Sequence, residues 1–174
     1  PTKESEKSST VGQWTIREIT KPDRFKKDTV RVMVLESSKR PKYELIVGYA
    51  VNDDGTTDGR IDLALRIRRD TFEEQIKDPT LPNEGEVIVM VHGEVITAQN
   101  GALRIYDHKS RKNSNWEELG IVITPEIAAA SFGDTIKKTE IRFHETEFSL
   151  DNAAKKRVHE FLKQNPDFAA VMNQ

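Results

Sequence analysis

Residues 85–107 read GEVIVMVHGEVITAQNGALRIYD. Apolar residues alternate with others through GEVIVMVHGEVITAQ, which sends successive side chains to opposite faces of a pleated strand, so the longest strand of the chain is expected over 85–99. Gly93 is expected to mark a bend or bulge within it. Asn100-Gly101 then separates that strand from ALRIYD. Asn-Gly between alternating apolar stretches is the strongest short-range signal for a two-residue hairpin, because both turn positions need positive φ. With Asn100 and Gly101 as the loop, Gln99 faces Ala102, Ile96 faces Ile105, and Glu94 faces Asp107. His92 falls on the same face two residues back, opposite Lys109.

That register sets two carboxylates against each other across the ladder, an unfavourable pairing that calls for compensation. One reading is a divalent cation or an acid–base pair held by His92, Glu94 and Asp107. The other is neutralisation by Lys109 or Arg111, or fraying of the hairpin before the pair. A single His-x-Glu with no second histidine nearby is a weak metal signature, and no other cofactor is suggested.

Outward from this stretch the same period recurs. QWTIREI places Trp14 and Ile16 on one face; DTVRVMVLE alternates Val30, Val32 and Val34 with Arg31, Met33 and Leu35. KYELIVGYAV is largely uncharged on both faces and suits a central strand. RIDLALRIR puts Ile61, Leu63, Leu65 and Ile67 on one side and Asp62, Arg66 and Arg68 on the other. ELGIVI and KKTEIRFHETEFSL complete eight strands, the last with an irregularity near His144 where the alternation changes phase.

Helices are expected in three places. Asp70 and Thr71 cap TFEEQIK, and Thr124, Pro125 and Gly133 bracket TPEIAAASFG. Asp151 caps a helix over 151–165 whose Ala154, Val158, Phe161 and Leu162 form one apolar stripe, with a further helical turn in DFAAVM. Residues 1–12 are nearly devoid of apolar content and are expected to be a flexible tail, leaving 13–174 as one β-rich domain. Eight strands with few helices point to a mainly β, eight-stranded antiparallel sandwich or barrel, jelly-roll-like, with a C-terminal helix packed on it.

Composition narrows the function classes. With 27 Lys and Arg against 29 Asp and Glu, the formal charge of -2 supplies no global field for nucleic acid or an anionic membrane, so any such binding must come from a local patch. The absence of cysteine removes disulfides, thiolate metal sites and cysteine nucleophiles, and fits the cytoplasm or another reducing compartment. No apolar run approaches the roughly 20 residues of a membrane helix, and no membrane partner is expected.

Three further stretches carry residue types suited to chemistry. VNDDGTTDGRID, residues 51–62, is rich in aspartate and glycine, but with either glycine at the sixth position of a calcium loop the twelfth-position glutamate is missing. Asp and Gly are also what a turn requires, and the alternative to a plain turn is a weaker, irregular cation site. HKSRKNSNW, residues 108–116, sets Lys109, Arg111 and Lys112 before Trp116, so cations meet phosphates while an aromatic face stacks a base; Arg66 and Arg68 extend that patch if their strand lies alongside. His144, with Glu145 and Glu147 beside it, is placed to supply a ligand from another strand, but a lone histidine in a strand is more often a hydrogen-bonded structural residue. Serine-hydrolase, Walker, dinucleotide-binding and zinc-protease motifs are all missing. The sequence therefore leads to a non-enzymatic module that binds a protein or copies of itself through a sheet face and the 108–116 loop. A single-strand nucleic-acid-binding barrel comes second, and a His/Glu/Asp metal enzyme third.

Overall fold

The computed structural model describes residues 4–23, 25–69, 78–106 and 115–174. Its elements in chain order are β1 (Ser5–Val11), β2 (Trp14–Asp23), β3 (Asp28–Ser37), β4 (Tyr43–Asn52), β5 (Ile61–Arg69), β6 (Glu84–Val91), β7 (Glu94–Tyr106), β8 (Asn115–Ile123), α1 (Pro125–Phe132), β9 (Thr139–Phe143), β10 (Thr146–Leu150), α2 (Asn152–Leu162) and α3 (Pro166–Met172). The strands form one antiparallel sheet in the order β1-β2-β3-β4-β5-β8-β7-β6-β9-β10. The first five strands run as a meander; β8 then joins β5, and β7, β6, β9 and β10 follow outward.

The chain is mainly β and antiparallel, as its alternation implies, but the sheet is a single open one rather than an eight-stranded sandwich or closed barrel. In 85–107 two strands form as expected, but the turn between them lies elsewhere. The chain reverses at His92-Gly93, with φ of 52° and 80°, and β7 runs unbroken through Asn100 and Gly101. Val91 therefore pairs with Glu94, and Gly85 with Gly101. Two positive φ angles in a two-residue loop are what the right-handed strand twist demands, and His92-Gly93 supplies them. Gly101 serves another purpose: a Cβ there would lie 2.9 Å from the Gly120 carbonyl oxygen on β8. A second reversal at His144 (φ 55°) splits the last expected strand into β9 and β10, paired with each other from Phe143 and Thr146 outward.

The tenth strand comes from the expected tail. Residues 5–11 form β1, paired along its length with β2 from Val11↔Trp14 to Ser5↔Thr20. Its side chains are mostly exposed, so the ladder's backbone hydrogen bonds hold it, helped by ion pairs Lys7–Glu18 at 3.2 Å and Arg17–Glu6 at 3.4 Å. Such exposed pairs contribute little. The helix expected at TFEEQIK lies outside the described residues.

One face of the sheet carries the main core. Trp14, Leu35, Leu45, Leu63, Val87 and Phe148 all belong to one buried cluster that also includes Phe132 of α1, Phe161 of α2 and Phe168 of α3. The helix ends follow the expected caps: Thr124 Oγ1 accepts from Ile127 N at 3.2 Å, and Asp151 Oδ1 from Ala154 N at 2.8 Å. The stripe Ala154, Val158, Phe161 and Leu162 is buried as its spacing requires. Among the described residues no helix is long and apolar enough to cross a membrane.

Candidate functional site

The opposite face is built from the alternate residues of the same strands. At its centre Val34, Ile46 and Ala64 sit side by side across β3, β4 and β5 and form a small second cluster with Ile19 and Val32 against it. Among the described residues no helix residue joins it. Small residues continue the row, since Ala64 pairs with Gly120 and Gly120 with Ala102. Val30 and Val122 are each 38% exposed on this face. The result is an apolar row that is buried at its centre, with Val30 and Val122 partly exposed at its sides and Asp62 lying between the Val32–Gly48 pair and Val122.

Charges border the row. Arg17 Nη2 reaches Glu44 Oε2 at 2.9 Å, Arg68 Nη2 reaches Glu36 Oε1 at 2.6 Å, and Arg68 Nε lies 3.4 Å from Glu44 Oε2. Arg66 meets Glu118 through Nε at 3.2 Å and Nη2 at 3.1 Å. Glu44 is 1% exposed, and its Oε1 has no hydrogen-bond partner among the described residues. Burial pushes its carboxyl above the ordinary value near 4.5, against the pull of Arg17, Arg68 and Arg66.

That shift has a sign. The folded state holds the Glu44 proton more tightly than the unfolded state, so the stability it contributes is complete below pH 4.5 and is lost as pH rises through the folded pKa. Urea denaturation from pH 4.5 upward is expected to show Glu44→Gln gaining on the parent protein through that window. A constant difference across it would mean that Glu44 does not titrate there.

The aromatic corner lies at one edge of the row. Trp116 pairs with Arg68 on one side and Tyr106 on the other. Its ring meets Tyr106 edge-on at 4.1 Å between centroids, and the Arg66 guanidinium sits 4.7 Å over it. Tyr106 is 44% exposed. Arg66, Arg68 and Trp116 are thus brought together as the sequence suggests, but both arginines already face glutamates, which cancels much of their pull on a phosphate. Lys109, Arg111 and Lys112 lie outside the described residues, in the connection between β7 and β8. Sequence reasoning missed Glu36, Glu44, Glu118 and Tyr106; each sits at the right strand parity, but only the register sets it beside its arginine or aromatic partner.

The Asn100-Gly101 hairpin register that would set Glu94 against Asp107 does not form, because the chain turns at His92-Gly93. His92 and Glu94 are exposed at the β6–β7 turn, Ile105 pairs with Glu117, and Tyr106 ends a 13-residue strand, about 40 Å from Glu94. Asp107 lies outside the described residues. No group of three or more His, Cys, Asp or Glu is placed to hold a metal ion among the described residues. His144 is an exposed turn residue.

The acidic stretch 51–62 is the β4–β5 connection. Asp54 Oδ1 accepts from Thr56 N at 3.0 Å and Oγ1 at 2.6 Å, which holds its carboxyl below the usual range. Asp58 Oδ1 accepts from Arg60 N at 3.0 Å, and Thr57 Oγ1 donates to Asp167 in the first turn of α3. Asp54 and Asp58 thus shape the turn.

No family model, no curated protein and no solved structure matches the chain.

Proposed function

We propose that this chain is a non-catalytic binding module that assembles with copies of itself through the face of its sheet opposite the main core, together with the 108–116 loop. The observation that supports the reading is the apolar cluster of Val34, Ile46 and Ala64 with the partly exposed Val30 and Val122 to its sides, framed by Arg–Glu pairs and interrupted by Asp62. An apolar centre with a polar rim is the usual anatomy of a protein interface. Light scattering over a range of concentrations tests it. The expected result is a discrete multiple of 19.8 kDa that a single-stranded oligonucleotide leaves unchanged and that Val122→Glu lowers. A mass of one chain at every concentration would reject it.

A second reading, single-stranded nucleic-acid binding, is favoured by one feature: the Tyr106–Trp116–Arg66 corner at the base of the basic 107–114 connection. It expects salt-sensitive binding that weakens when Lys109, Arg111 and Lys112 are changed to glutamine. No binding at low ionic strength would remove it.

A further inference from the structure

Two segments far apart in the chain carry the same pattern: Asp23-Arg24-Phe25-Lys26-Lys27 and Asp134-Thr135-Ile136-Lys137-Lys138. They also share a backbone geometry. Asp23 Oδ1 accepts from Phe25 N at 3.0 Å and Lys26 N at 3.2 Å. Asp134 Oδ1 accepts from Ile136 N at 3.0 Å and Lys137 N at 3.4 Å. In each, the third residue is a large apolar side chain turned outward, Phe25 at 85% and Ile136 at 82% exposure, and these exceed every other exposed large hydrophobic described. The four lysines that follow are in the surrounding exposed surface, except that Lys137 Nζ lies 3.9 Å from Asp134.

The second tip is also held from beneath. Lys155, fully buried on α2, donates to Lys137 O at 2.5 Å. Asn152, with its amide oriented by its hydrogen bonding, donates to Ile136 O at 3.0 Å and Thr135 O at 3.2 Å. Lys138 O accepts from His92 N at 3.1 Å. A loop with this many backbone groups fixed does not collapse its apolar side chain onto the protein, so Ile136 is presented to solvent.

Both tips lie at the same end of the sheet. Asp23 pairs with Asp28 and Asp28 with Asn52, at the end where β5 begins; Ile61 pairs with Ile123; and the end of β6, Val91, pairs with Thr139 just after the second tip. The tips flank β3 and β9, six places apart in the sheet order, so they are within about 30 Å of each other. The acidic β4–β5 connection also lies at this end, with Asp53, Asp54 and Asp58 exposed, so the four lysines have to outweigh these carboxylates at an anionic surface.

We propose that the two tips form a two-point docking surface for an anionic lipid bilayer, with Phe25 and Ile136 entering the interfacial region and Lys26, Lys27, Lys137 and Lys138 meeting the headgroups. A bilayer offers an apolar interior beneath a negative surface wherever both tips land, whatever their exact spacing. Nucleic acid fits less well, since the Ile136 side chain has no ring to stack on a base. The inference concerns a different surface from the face opposite the main core and stands apart from the assembly reading.

Co-sedimentation with vesicles of phosphatidylcholine alone, or mixed with phosphatidylserine, tests it on the full chain. Binding is expected only with phosphatidylserine, and to weaken with salt. Phe25→Ser and Ile136→Ser each reduce it at least about tenfold, and each lysine changed to glutamine about fivefold, without altering the melting temperature. Val122→Glu leaves it intact, which separates this result from the assembly test. The proposal is overturned by no binding to phosphatidylserine vesicles at low ionic strength, or by binding that survives the double serine variant. It is equally overturned if the tips drive only self-association or oligonucleotide binding that the serine variants abolish.

Discussion

Replacing Glu117 with alanine is expected to cost about 3–5 kcal/mol of unfolding free energy, read from guanidinium denaturation. Glu117 is fully buried on the helix-covered side of β8. Its Oε2 accepts from Arg69 Nη2 at 2.7 Å and Thr80 N at 3.1 Å, and its Oε1 from Leu81 N at 2.5 Å. One carboxylate therefore ties the end of β5 and the segment before β6 to the centre of the sheet. Alanine leaves the Leu81 amide buried without its acceptor and takes a charge partner from Arg69, and the cost of orphaned buried groups exceeds the worth of the bonds themselves. Glu117→Gln keeps one acceptor oxygen and is expected to lose less. An alanine variant within about 1 kcal/mol of the parent would show that the 78–83 segment is held by something else.

Gly101→Ala is expected to cost about 1–3 kcal/mol. The added methyl would sit 2.9 Å from Gly120 O and 3.2 Å from Val87 Cγ2, and a backbone oxygen in the next strand cannot swing aside as a side chain can. Gly93→Ala is expected to cost about 1–2 kcal/mol for an unrelated reason, the left-handed backbone: its φ is 80° and nothing lies within 4 Å of its missing Cβ. Thermal melts of the two variants, with a control at an exposed strand position, measure both. If Gly101→Ala were silent, β7 and β8 would not approach as closely as their register places them.

These two glycines also show where the sequence was legible and where it was not. Period-2 alternation locates nearly every strand, because the pleat imposes it whatever the neighbours are. The caps at Thr124 and Asp151 and the α2 stripe were equally readable, since those interactions are local. Turn placement was not. Asn100-Gly101 and His92-Gly93 both supply residues that tolerate positive φ, and only the second is a turn, because Gly101 is kept small by a strand that arrives from elsewhere in the chain. β1 escaped notice for the opposite reason: its stabilisation comes from backbone bonding to β2, which leaves no apolar pattern in SEKSSTV.

For the candidate surface, residue types were legible and partners were not. Arg66, Arg68 and Trp116 could be placed on one side of their strands by counting. That Glu36, Glu44 and Glu118 lie against those arginines depends on β2–β3–β4–β5–β8 registers that no local spacing encodes. The same register moved Glu94 away from the ladder position that made the metal reading attractive. The twin Asp-x-apolar-Lys-Lys tips were present in the sequence throughout, but became significant only once both were seen at one end of the sheet with their third residue outward.

The joining of β5 to β8 has a consequence for how the protein is made. Arg69 pairs with Asn115 and Ile61 with Ile123, so β5 must wait for more than forty residues of further chain before its second neighbour exists. In that interval a five-stranded meander, with Leu63 and Leu65 on its apolar side, has an open edge at what becomes the middle of the finished sheet. Non-local closure of this kind is slow, and exposed strand edges attract other chains. Newly synthesised protein is therefore most prone to aggregation before β8 emerges, and yield should respond to changes that slow or destabilise the β5–β8 union more than to equal losses of stability at the outer strands.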